Sequence, residues 1–516
     1  MTADPVVWSI AGLDSGGGAG LSADQRAADA MGVHLCPVAA ALTAQNSRAV
    51  AAVYPVPVEQ LQAQFEALAD DLPPAVIKTG LLGGAAQLSA VARLVDRLRQ
   101  QRPVALVVDP VLRASTGAEF ADEALLRAYR EELLPRATLV TPNRREAQRL
   151  VGPGAPPAQA QALLSLGAAG VCITGGDEEG VLSSDWLATP QARGWLTLPR
   201  RDARHNHGTG CCFATGLAAA LARGFVAADA TVIAKMLTTA SLQAQPGFAG
   251  RGAGPVRPVP GFIQDRALLP ALVDEPTPPA AWRPAQAGAA AVTGVYAITD
   301  AGRHAAALFA AGITTVQLRL KRAAEEPQAA WQARLREEVQ AAGCPHGATL
   351  VLNDHWREAL ALGVDVVHLG QEDLLALSPD DRRDLARARA RGLRLGLSTH
   401  SLWELARAAA WSPDYVACGP VWPTLTKVMP WQPQGLSNLR WWVAMAPAPV
   451  VGIGGVLTPA QLADVAATGA HAGCVVRGLA PGAPHGPQDW QAAWKAGRDA
   501  AQSAPRPVPA WPRPSL

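Results

Sequence analysis

Short apolar runs alternate with alanine-rich stretches of helical character along nearly the whole of this 516-residue chain. The runs are continuous in Val, Ile and Leu, which is typical of strands that are covered on both faces. Strands of this kind that are separated by helices form parallel sheets, because two parallel strands need a crossover connection between them. The pattern therefore predicts an α/β protein.

One segment interrupts the alternation. Residues 266–292 include Glu275-Pro-Thr-Pro-Pro279 and show neither helical nor strand periodicity, which is typical of a linker between domains. We predict a first domain over residues 1–265, a Pro- and Ala-rich linker over 266–292, a second domain over 293–500 and a disordered Pro-rich tail over 501–516. The length of the chain agrees with two domains, since one domain takes roughly 100–200 residues.

Charge and cysteine content exclude several classes of protein. The chain has 45 basic and 43 acidic residues, without the clustered basic excess of a nucleic-acid or membrane-surface binder. No apolar run reaches the roughly 18 residues of a membrane span, and the first residues do not resemble a secretory signal. The seven cysteines are scattered without CxxC spacing. We therefore expect a reduced, cytoplasmic enzyme that acts on small molecules, without a zinc cluster, and we leave homo-oligomer formation open.

The first domain has six predicted strands, which indicates an open, mostly parallel sheet with flanking helices. A glycine-rich segment, Ile10 to Asp24, follows the first strand. Its spacing matches neither a P-loop nor a dinucleotide-binding fingerprint, so by itself it is weak evidence for a ligand site.

A second glycine-containing segment, Gly208-Thr-Gly-Cys211, precedes a predicted helix. Its successive N–H groups at a helix N-terminus would bind an anion such as a transferring phosphoryl group. A thiol there is expected to have a lowered pKa, because the helix dipole favours the thiolate. Cys211 could then accept a proton from an attacking hydroxyl, although a cysteine at a helix start is more often a small core residue.

These segments together resemble the ribokinase-like hydroxymethylpyrimidine and phosphomethylpyrimidine kinases over about residues 5–265. The resemblance rests on the glycine-rich start, Ala44-Gln-Asn46, Val108-Asp-Pro-Val111, Thr141-Pro-Asn-Arg-Arg-Glu146 and Gly208–Cys211. It implies two phosphorylations of a pyrimidine alcohol with Mg²⁺ and ATP. It also implies that Cys211 is the catalytic base, that Asp24 and Gln45 bind the pyrimidine, that Gly208, Thr209 and Gly210 form the anion hole, and that Asp109, Asn143 and Glu146 serve the metal and phosphates.

Two positions depart from that family's pattern. Thr174 stands where a lysine usually precedes two glycines, which removes one expected contact to the triphosphate. Leu81 stands where methionine is common near the pyrimidine, and this is a tolerable apolar exchange.

The second domain contains eight predicted strands in about 210 residues, with helical stretches between most of them. Eight β/α units predict a TIM barrel, whose active site lies at the carboxyl ends of the strands. Polar residues stand where these strands end. Basic residues in Gln317-Leu-Arg-Leu-Lys321 and at Lys427, together with the separated carboxylates Asp354 and Asp373, suit a magnesium–pyrophosphate site.

This half resembles thiamine-phosphate synthase over about residues 293–480, on Gln317–Lys321, Asn353-Asp354, Gln371-Glu-Asp373, Ser398-Thr-His400, Thr424–Lys427 and Gly452–Gly455. The resemblance implies that Asp354 and Asp373 bind Mg²⁺. It implies that the pyrophosphate and pyrimidine contact Gln317, Arg319, Lys321, Asn353, Ser398 and Lys427, and that the thiazole phosphate contacts Thr424, Thr426 and Gly455. Arg477 departs from the pattern, because a serine is expected there.

The two halves predict one bifunctional enzyme of thiamine biosynthesis, in which the product of the first domain is a substrate of the second. Two alternatives stay open. One half could be degenerate and serve as a regulatory or binding module, with Thr174 and Arg477 as marks of lost activity. The kinase could instead act on an alcohol of the pyridoxine type.

Overall fold

The computed structural model describes residues 4–113, 120–244, 247–276, 292–424, 430–503 and 507–516. The chain divides into two compact units, Met1–Pro279 and Ala280–Leu516. No helix within these described ranges is long and apolar enough to cross a membrane.

The described part of the first unit contains one ten-stranded sheet in the order β10-β9-β8-β7-β6-β5-β4-β1-β2-β3. Its strands are β1 Val6–Asp14, β2 His34–Gln45, β3 Val50–Pro55, β4 Val76–Thr79, β5 Ala105–Val108, β6 Leu139–Val140, β7 Val171–Ile173, β8 Leu182–Ala188, β9 Arg193–Pro199 and β10 Ala271–Val273. In this spatial order, the strands β7, β6, β5, β4, β1 and β2 pair with their neighbours in parallel. The pairs outside this central group are antiparallel. The predicted open, mostly parallel sheet is confirmed.

Helices of the first unit supply most of its remaining core. They are α1 Gly20–Met31, α2 Val58–Ala69, α3 Ala85–Arg99, α4 Glu123–Ala128, α5 Arg144–Val151, α6 Pro156–Ser165, α7 Thr209–Ala222 and α8 Ala227–Gln243. Leu61 and Phe65 of α2 and Val91 of α3 are buried in one apolar cluster with Trp8 and Ile77 of the sheet. Helix α7 packs against α1 and α8 and contacts β1, β4 and β5, which brings its N-terminus to the sheet.

Part of the segment that we predicted as a linker is folded. Strand β10 pairs antiparallel with β9 from Ala271 to Val273, and Leu268, Leu269 and Leu272 are buried. Buried apolar side chains and the pairing with β9 therefore hold residues up to Val273 in the first unit. Residues 277–291 lie outside the described residues, so the rest of the predicted linker stays a prediction.

The second unit is a closed barrel of eight parallel strands in sequence order, counted over its described residues. The strands are β11 Gly294–Thr299, β12 Thr315–Leu318, β13 Thr349–Asn353, β14 Val366–Leu369, β15 Arg394–Thr399, β16 Tyr415–Cys418, β17 Val450–Gly452 and β18 Ala472–Val475. The helices are α9 Gly302–Ala310, α10 Gln328–Ala342, α11 Trp356–Leu362, α12 Gln371–Ala376, α13 Pro379–Ala390, α14 Leu402–Ala410, α15 Gly435–Met445, α16 Pro459–Ala466 and α17 Pro487–Ser503. The predicted TIM barrel is confirmed.

The C-terminal segment differs from the disordered tail that we predicted. Helix α17 continues to Ser503, and the described residues 507–516 return to the barrel. The Gln432 amide donates to the Ser515 carbonyl over 2.9 Å, and the Arg513 amide donates to Asn438 Oδ1 over 3.0 Å. These backbone hydrogen bonds give the proline-rich segment a fixed place without helix or strand periodicity.

Candidate active sites

A cavity of about 1620 Å³ opens in the first unit near the carboxyl ends of its parallel strands. Ligands of open α/β sheets bind at such a position. It is lined by the glycine-rich segment after β1, by the residues after β5 and β6, and by the first turn of α7. The lining includes most of the predicted kinase residues, namely Gln45, Asp109, Asn143, Glu146, Gly208, Thr209, Gly210 and Cys211, and also Leu81 and Thr174.

The N-terminus of α7 has the geometry of an anion-binding turn. Gly208 caps the helix with a left-handed φ of 82°, and a Cβ there would lie 2.4 Å from the Gly18 carbonyl oxygen. A side chain is therefore excluded at this position. The Thr209 amide donates to the Asn206 carbonyl over 3.3 Å. The next amides of a helix have no intrahelical acceptor, and those of Gly210 and Cys211 belong to residues that line the cavity.

Cys211 lies partly exposed in the third position of α7. Burial raises the pKa of its thiol to about 12; Lys78 opposes this rise, and Asp24 and Asp109 add to it. The predicted lowering of this pKa is thus wrong for the ligand-free protein, because burial raises it more than Lys78 and the Gly20 backbone lower it. The thiol carries its proton at neutral pH and must lose it before it can act as a base.

Asp24 does not line the cavity, so it is not placed to bind a pyrimidine. It lies on the inner face of α1, and both of its carboxylate oxygens are 2.9 Å from Lys78 Nζ. Ser9 and Thr215 also donate to this carboxylate, over 2.6 and 2.7 Å. Both side chains of the ion pair are 0% exposed. Asp24 therefore holds Lys78, which does line the cavity.

Replacing Lys78 by methionine is expected to destabilise the first unit by about 3–5 kcal/mol, because it leaves a buried carboxylate without its counter-charge. The double variant Lys78→Met/Asp24→Leu should regain most of that loss. Denaturant unfolding of the three proteins measures the effect. Equal losses in the single and the double variant would contradict this role of the pair.

A second polar cluster surrounds Gln45, and sequence reasoning missed two of its members. Gln45 Nε2 is 3.1 Å from His207 Nε2, which is 3.3 Å from Asp14 Oδ2. The amides of Gly16, Gly18 and Ala19 donate to the Asp14 carboxylate. Burial alone would raise the pKa of Asp14, but these hydrogen bonds and that of His207 lower it. The position of His207 just before Gly208 was the signal available.

Asp109 and Glu146 are nearly buried carboxyl groups on the cavity wall. Asn143 caps α5 by accepting from the Glu146 amide over 3.0 Å, and Glu146 accepts from the Asn143 amide over 2.9 Å. This capping box explains both residues structurally. Burial raises the pKa of Asp109 to about 6; Lys78 lowers it and Asp24 raises it further. Burial and the neighbouring Asp109 raise that of Glu146.

The raised pKa of Asp109 predicts a pH-dependent stability. Its folded pKa of about 6 exceeds the ordinary aspartate value of 3.8, so its contribution to stability is lost as the pH rises from about 4 through 6. Asp109→Asn should therefore raise the unfolding temperature of the first unit at pH 8 by roughly 5 °C, with little change at pH 4. Calorimetry at both pH values measures this. A variant less stable at pH 8 would contradict it.

The loop at Thr174, where the family's lysine is missing, lies beside another lysine. Lys235 Nζ is 2.8 Å from Asp185 Oδ2, and Asp185 Oδ1 accepts from the Gly175 amide over 2.9 Å. Arg200 donates to the Gly176 carbonyl over 2.7 Å. Lys235 and Arg200 both line the cavity, so cationic side chains border this loop even though residue 174 is a threonine.

The predicted synthase residues lie at the carboxyl ends of the barrel strands, as the TIM-barrel prediction requires. Gln317 and Asn353 belong to β12 and β13, and Ser398 to β15. Arg319, Asp354 and Thr424 follow β12, β13 and β16, and Gly455 follows β17. Thr426 and Lys427 lie outside the described residues. Lys321 and Arg477 are exposed.

Asp354 and Asp373 face each other across two adjacent strand ends. Asp354 has a left-handed φ of 66°, which is unusual for a residue other than glycine, and its amide donates to the His368 carbonyl over 2.9 Å. Burial raises the pKa of Asp354 to about 6, and the charge and hydrogen bond of Asp373 raise it further. Two carboxylates in contact repel each other, and oxygen ligands of this kind fit Mg²⁺.

Hydrogen bonds inside the barrel also connect the polar side chains at this rim. Gln317 Nε2 donates to Asn353 Oδ1 over 2.6 Å, and Ser398 Oγ lies 2.9 Å from His368 Nε2. Tyr296, Tyr415 and His368 form the buried part of this network, and sequence reasoning missed all three. Their signal was weak, because a buried tyrosine or histidine in a strand is usually a core residue.

No group of three or more His, Cys, Asp or Glu side chains in the described ranges is arranged to hold a metal ion by itself. Mg²⁺ is usually bound in proteins through one or two carboxylates together with oxygens of substrate phosphates. Asp354 and Asp373 in the barrel, and Asp109 in the first unit, are the carboxylates that fit such a site.

Comparison with known proteins agrees with the division of the chain. A model of the phosphomethylpyrimidine kinase family matches residues 14–257, and one of the thiamine monophosphate synthase family matches residues 291–479. The chain is 27% identical to pyridoxal kinase from Bacillus subtilis, with a TM-score of 0.46 over 49% of this chain and 97% of that one.

Two plant relatives cover both units. A probable thiamine biosynthetic bifunctional enzyme of Oryza sativa subsp. japonica, described as chloroplastic, is 31% identical over 88% of this chain and 81% of its own length. The thiamine biosynthetic bifunctional enzyme TH1 of Arabidopsis thaliana, also chloroplastic, is 31% identical over 88% of this chain and 85% of its own length. This chain therefore belongs to the family of bifunctional thiamine-biosynthetic enzymes, which join a phosphomethylpyrimidine kinase to a thiamine-phosphate synthase.

Proposed function

We propose that the first unit transfers the γ-phosphoryl group of ATP to the alcohol of hydroxymethylpyrimidine, and then a second phosphoryl group to the resulting phosphate. The observation that carries this proposal is the first turn of α7, whose amides and Cys211 line one large cavity. Phosphoryl transfer depends mainly on positioning and charge neutralisation. The turn of Gly208, Thr209 and Gly210, in which the Gly210 amide has no intrahelical acceptor, suits the charge on the transferring group.

The kinase step makes one bond and breaks one. A bond forms between the substrate oxygen and the γ-phosphorus, and the bond from that phosphorus to the bridging oxygen breaks to release ADP. The Cys211 thiol first gives its own proton to solvent water, and the resulting thiolate accepts the proton of the attacking hydroxyl. Lys78 is the cation that opposes the rise of the thiol pKa. Gln45, in its cluster with His207 and Asp14, offers amide groups for the polar edge of the pyrimidine.

We propose that the barrel joins the pyrimidine pyrophosphate to hydroxyethylthiazole phosphate. The bond between the pyrimidine methylene carbon and the pyrophosphate oxygen breaks, and a bond to the thiazole nitrogen forms. Arg319, Lys321 and Asn353 hold the departing pyrophosphate, with Lys427 as a further expected cation. Gly455 and Thr424, with Thr426, serve the thiazole phosphate.

Mg²⁺, if bound at Asp354 and Asp373, would supply charge neutralisation to the pyrophosphate. Asp109 is the corresponding carboxylate in the kinase cavity. Asn143 and Glu146, which form the capping box of α5, lie beside it on the cavity wall. The substrates of both units are small molecules, and ATP is the phosphoryl donor. Cytoplasmic location stays a proposal. The seven cysteines, all among the described residues, form no disulfide, which supports a reducing compartment.

A one-pot assay tests the whole proposal. The protein is incubated with hydroxymethylpyrimidine, ATP, Mg²⁺ and thiazole phosphate, and we expect thiamine phosphate to accumulate. Omission of ATP should abolish the product unless pyrimidine pyrophosphate is supplied. Faster phosphorylation of pyridoxine than of the pyrimidine alcohol would contradict the assigned kinase substrate. Activity of only one unit would show that the other is degenerate.

A further inference from the structure

The loop after β12 carries two of the predicted pyrophosphate contacts, Arg319 and Lys321. It connects β12, which ends at Leu318, to α10, which begins at Gln328. The Arg319 amide donates to the Thr299 carbonyl at the end of β11 over 2.8 Å, so the sheet still holds that residue. Lys321 lies beyond the end of β12 and is exposed. Its backbone therefore needs a support outside the barrel sheet.

Arg334, on α10, provides this support. Its Nη2 donates to the Lys321 carbonyl over 3.0 Å. The same guanidinium binds the Glu326 carboxylate in a bidentate manner, with Nε 2.9 Å from Oε1 and Nη2 2.8 Å from Oε2. A planar guanidinium held by two parallel hydrogen bonds has a defined orientation. Arg334 thus fixes the Lys321 carbonyl relative to Glu326, near the other end of the loop.

Glu326 is the residue on which the loop closes. Besides Arg334, its carboxylate accepts from the Ala323 amide over 3.3 Å, and its own amide donates to the Ala323 carbonyl over 3.1 Å. Its carbonyl accepts from Nε and Nη2 of Arg322 over 2.9 and 2.8 Å. Arg322 is therefore engaged within the loop, although it stands next to Lys321 in the sequence.

The same helix also contacts the turn that carries Asp354. The guanidinium carbon of Arg334 lies 4.7 Å from the centre of the Trp331 ring, one helical turn earlier. The Trp331 ring is 1% exposed and lies 4.7 Å from the His355 ring, measured between centroids. His355 directly follows Asp354. One turn of α10 therefore contacts both the cationic loop and the carboxylate turn of the barrel site.

We propose that Arg334 is a positioning residue of the pyrophosphate site. It fixes the Lys321 segment in place, and its stacking on Trp331 ties that segment to the turn at Asp354. A pyrophosphate held jointly by a lysine and a metal needs both groups in position, and a displacement of about 1 Å can cost 10²-fold in rate. This inference rests on the proposed function of the barrel.

The reactivity of Lys321 measures the effect without any turnover. The full chain is treated with a limiting amount of acetic anhydride at a fixed Mg²⁺ concentration and increasing inorganic pyrophosphate. Mass spectrometry then gives the acetylated fraction of Lys321. Lys495, an exposed lysine of α17, is the internal reference that pyrophosphate should not protect. We expect pyrophosphate to protect Lys321, and Arg334→Gln to raise the half-protecting concentration by about 10-fold.

Glu326→Gln should shift the protection of Lys321 in the same direction, because it removes the charge that orients Arg334. Arg334→Lys should recover little, since an ammonium group cannot reproduce the bidentate contact together with the carbonyl contact. An unchanged half-protecting concentration in Arg334→Gln would overturn the proposal. Absence of protection in the unsubstituted protein would overturn it as well, because Lys321 would then not be a pyrophosphate contact.

A matched arginine of the same unit serves as the control. Arg389 of α13 also pairs with a carboxylate, that of Asp414 at 3.4 Å, and donates to a backbone carbonyl, that of Ser412, over 2.6 Å. These partners precede β16 and so lie at the amino end of that strand, away from the site. Arg389→Gln should therefore leave the protection of Lys321 and the synthase rate unchanged.

Synthase kinetics show whether Arg334 acts through Lys321. We expect Arg334→Gln to lower kcat/KM for pyrimidine pyrophosphate by about 10-fold, without a change in KM for thiazole phosphate. In a Lys321→Ala background the same substitution should have an effect of less than about 2-fold, because residues that act as one unit are not additive. Full additivity of the two losses would contradict the positioning role and favour direct contact of Arg334 with pyrophosphate.

Unfolding temperatures of the variants identify any that fail to fold, and Glu326→Gln, which keeps the shape of the side chain, then carries the test. The two levels of inference fail separately. Protection of Lys321 that depends on Arg334, in a chain that forms no thiamine phosphate, would refute the proposed function and leave the positioning role intact. Thiamine phosphate formation that is unaffected by Arg334→Gln would refute the positioning role alone.

Discussion

The variant Cys211→Ala is expected to lose about 10²–10⁴-fold in phosphorylation of hydroxymethylpyrimidine, the usual contribution of general base catalysis. The thiol lies in the first turn of α7, at the cavity wall with the anion-binding amides. Synthase activity from supplied pyrimidine pyrophosphate should not change. Steady-state assays of each reaction on the same preparation measure both effects.

The neighbouring cysteine gives a matched control. Cys212 is buried, and its Sγ lies 3.5 Å from Ser241 Oγ, away from the cavity lining. Cys212→Ala should therefore retain the kinase reaction. The pH profile adds a second readout, since the thiol pKa of about 12 predicts that the kinase rate rises with pH above neutrality. Near-normal phosphorylation by Cys211→Ala would remove the base role and favour a water molecule or a carboxylate.

In the barrel, Asp354→Asn and Asp373→Asn are each expected to lower thiamine phosphate formation by roughly 10²-fold or more. Each removes one of two negative charges that face each other and fit a cation, and a bound metal contributes several kcal/mol to stabilising a departing charge. The kinase reaction should be unaffected. Synthase assays with supplied pyrimidine pyrophosphate, over a range of Mg²⁺ concentrations, measure the loss.

A carboxylate on the same unit but outside the site serves as the control. Asp384 lies on α13 and pairs with Arg387 on the surface, so Asp384→Asn should leave both reactions intact. Direct titration with Mn²⁺ as a magnetic probe should show weaker binding to the two site variants. Undiminished synthase rates in Asp354→Asn and Asp373→Asn would refute their assignment as metal ligands.

Much of the fold was predictable because its signals are local. Continuous apolar runs separated by helical stretches predicted a central parallel sheet in the first unit and eight β/α units in the second. Strands β3 and β8–β10 escaped prediction; they form antiparallel pairs towards the two edges of the sheet, and β10 pairs with β9, which is distant in sequence. The fold of residues 266–276 also depended on a distant strand, β9, and could not be recognised from their composition.

For the two candidate sites, too, local sequence predicted some features and tertiary structure decided the others. Loop and strand-end motifs indicated Gln45, Gly208–Cys211, Asp354 and Asp373, since glycine-rich turns and polar residues at strand ends have a local reason to be there. The environment of each group was decided by tertiary structure. Asp24 faces Lys78 in the interior instead of the cavity, and burial raises the pKa of Cys211 where the helix dipole alone predicted a decrease.

The sequence by itself determined which residues could do chemistry, because the types and spacings of residues along one segment are enough to specify a turn, a helix start or a strand end. Only the tertiary structure decided what surrounds them. Desolvation and hydrogen-bond partners come from elements tens or hundreds of residues away, as when Asp24 meets Thr215 or Tyr296 meets Tyr415. The pKa of Cys211 and the ion pair of Asp24 depend on such distant neighbours, so no local pattern could predict them.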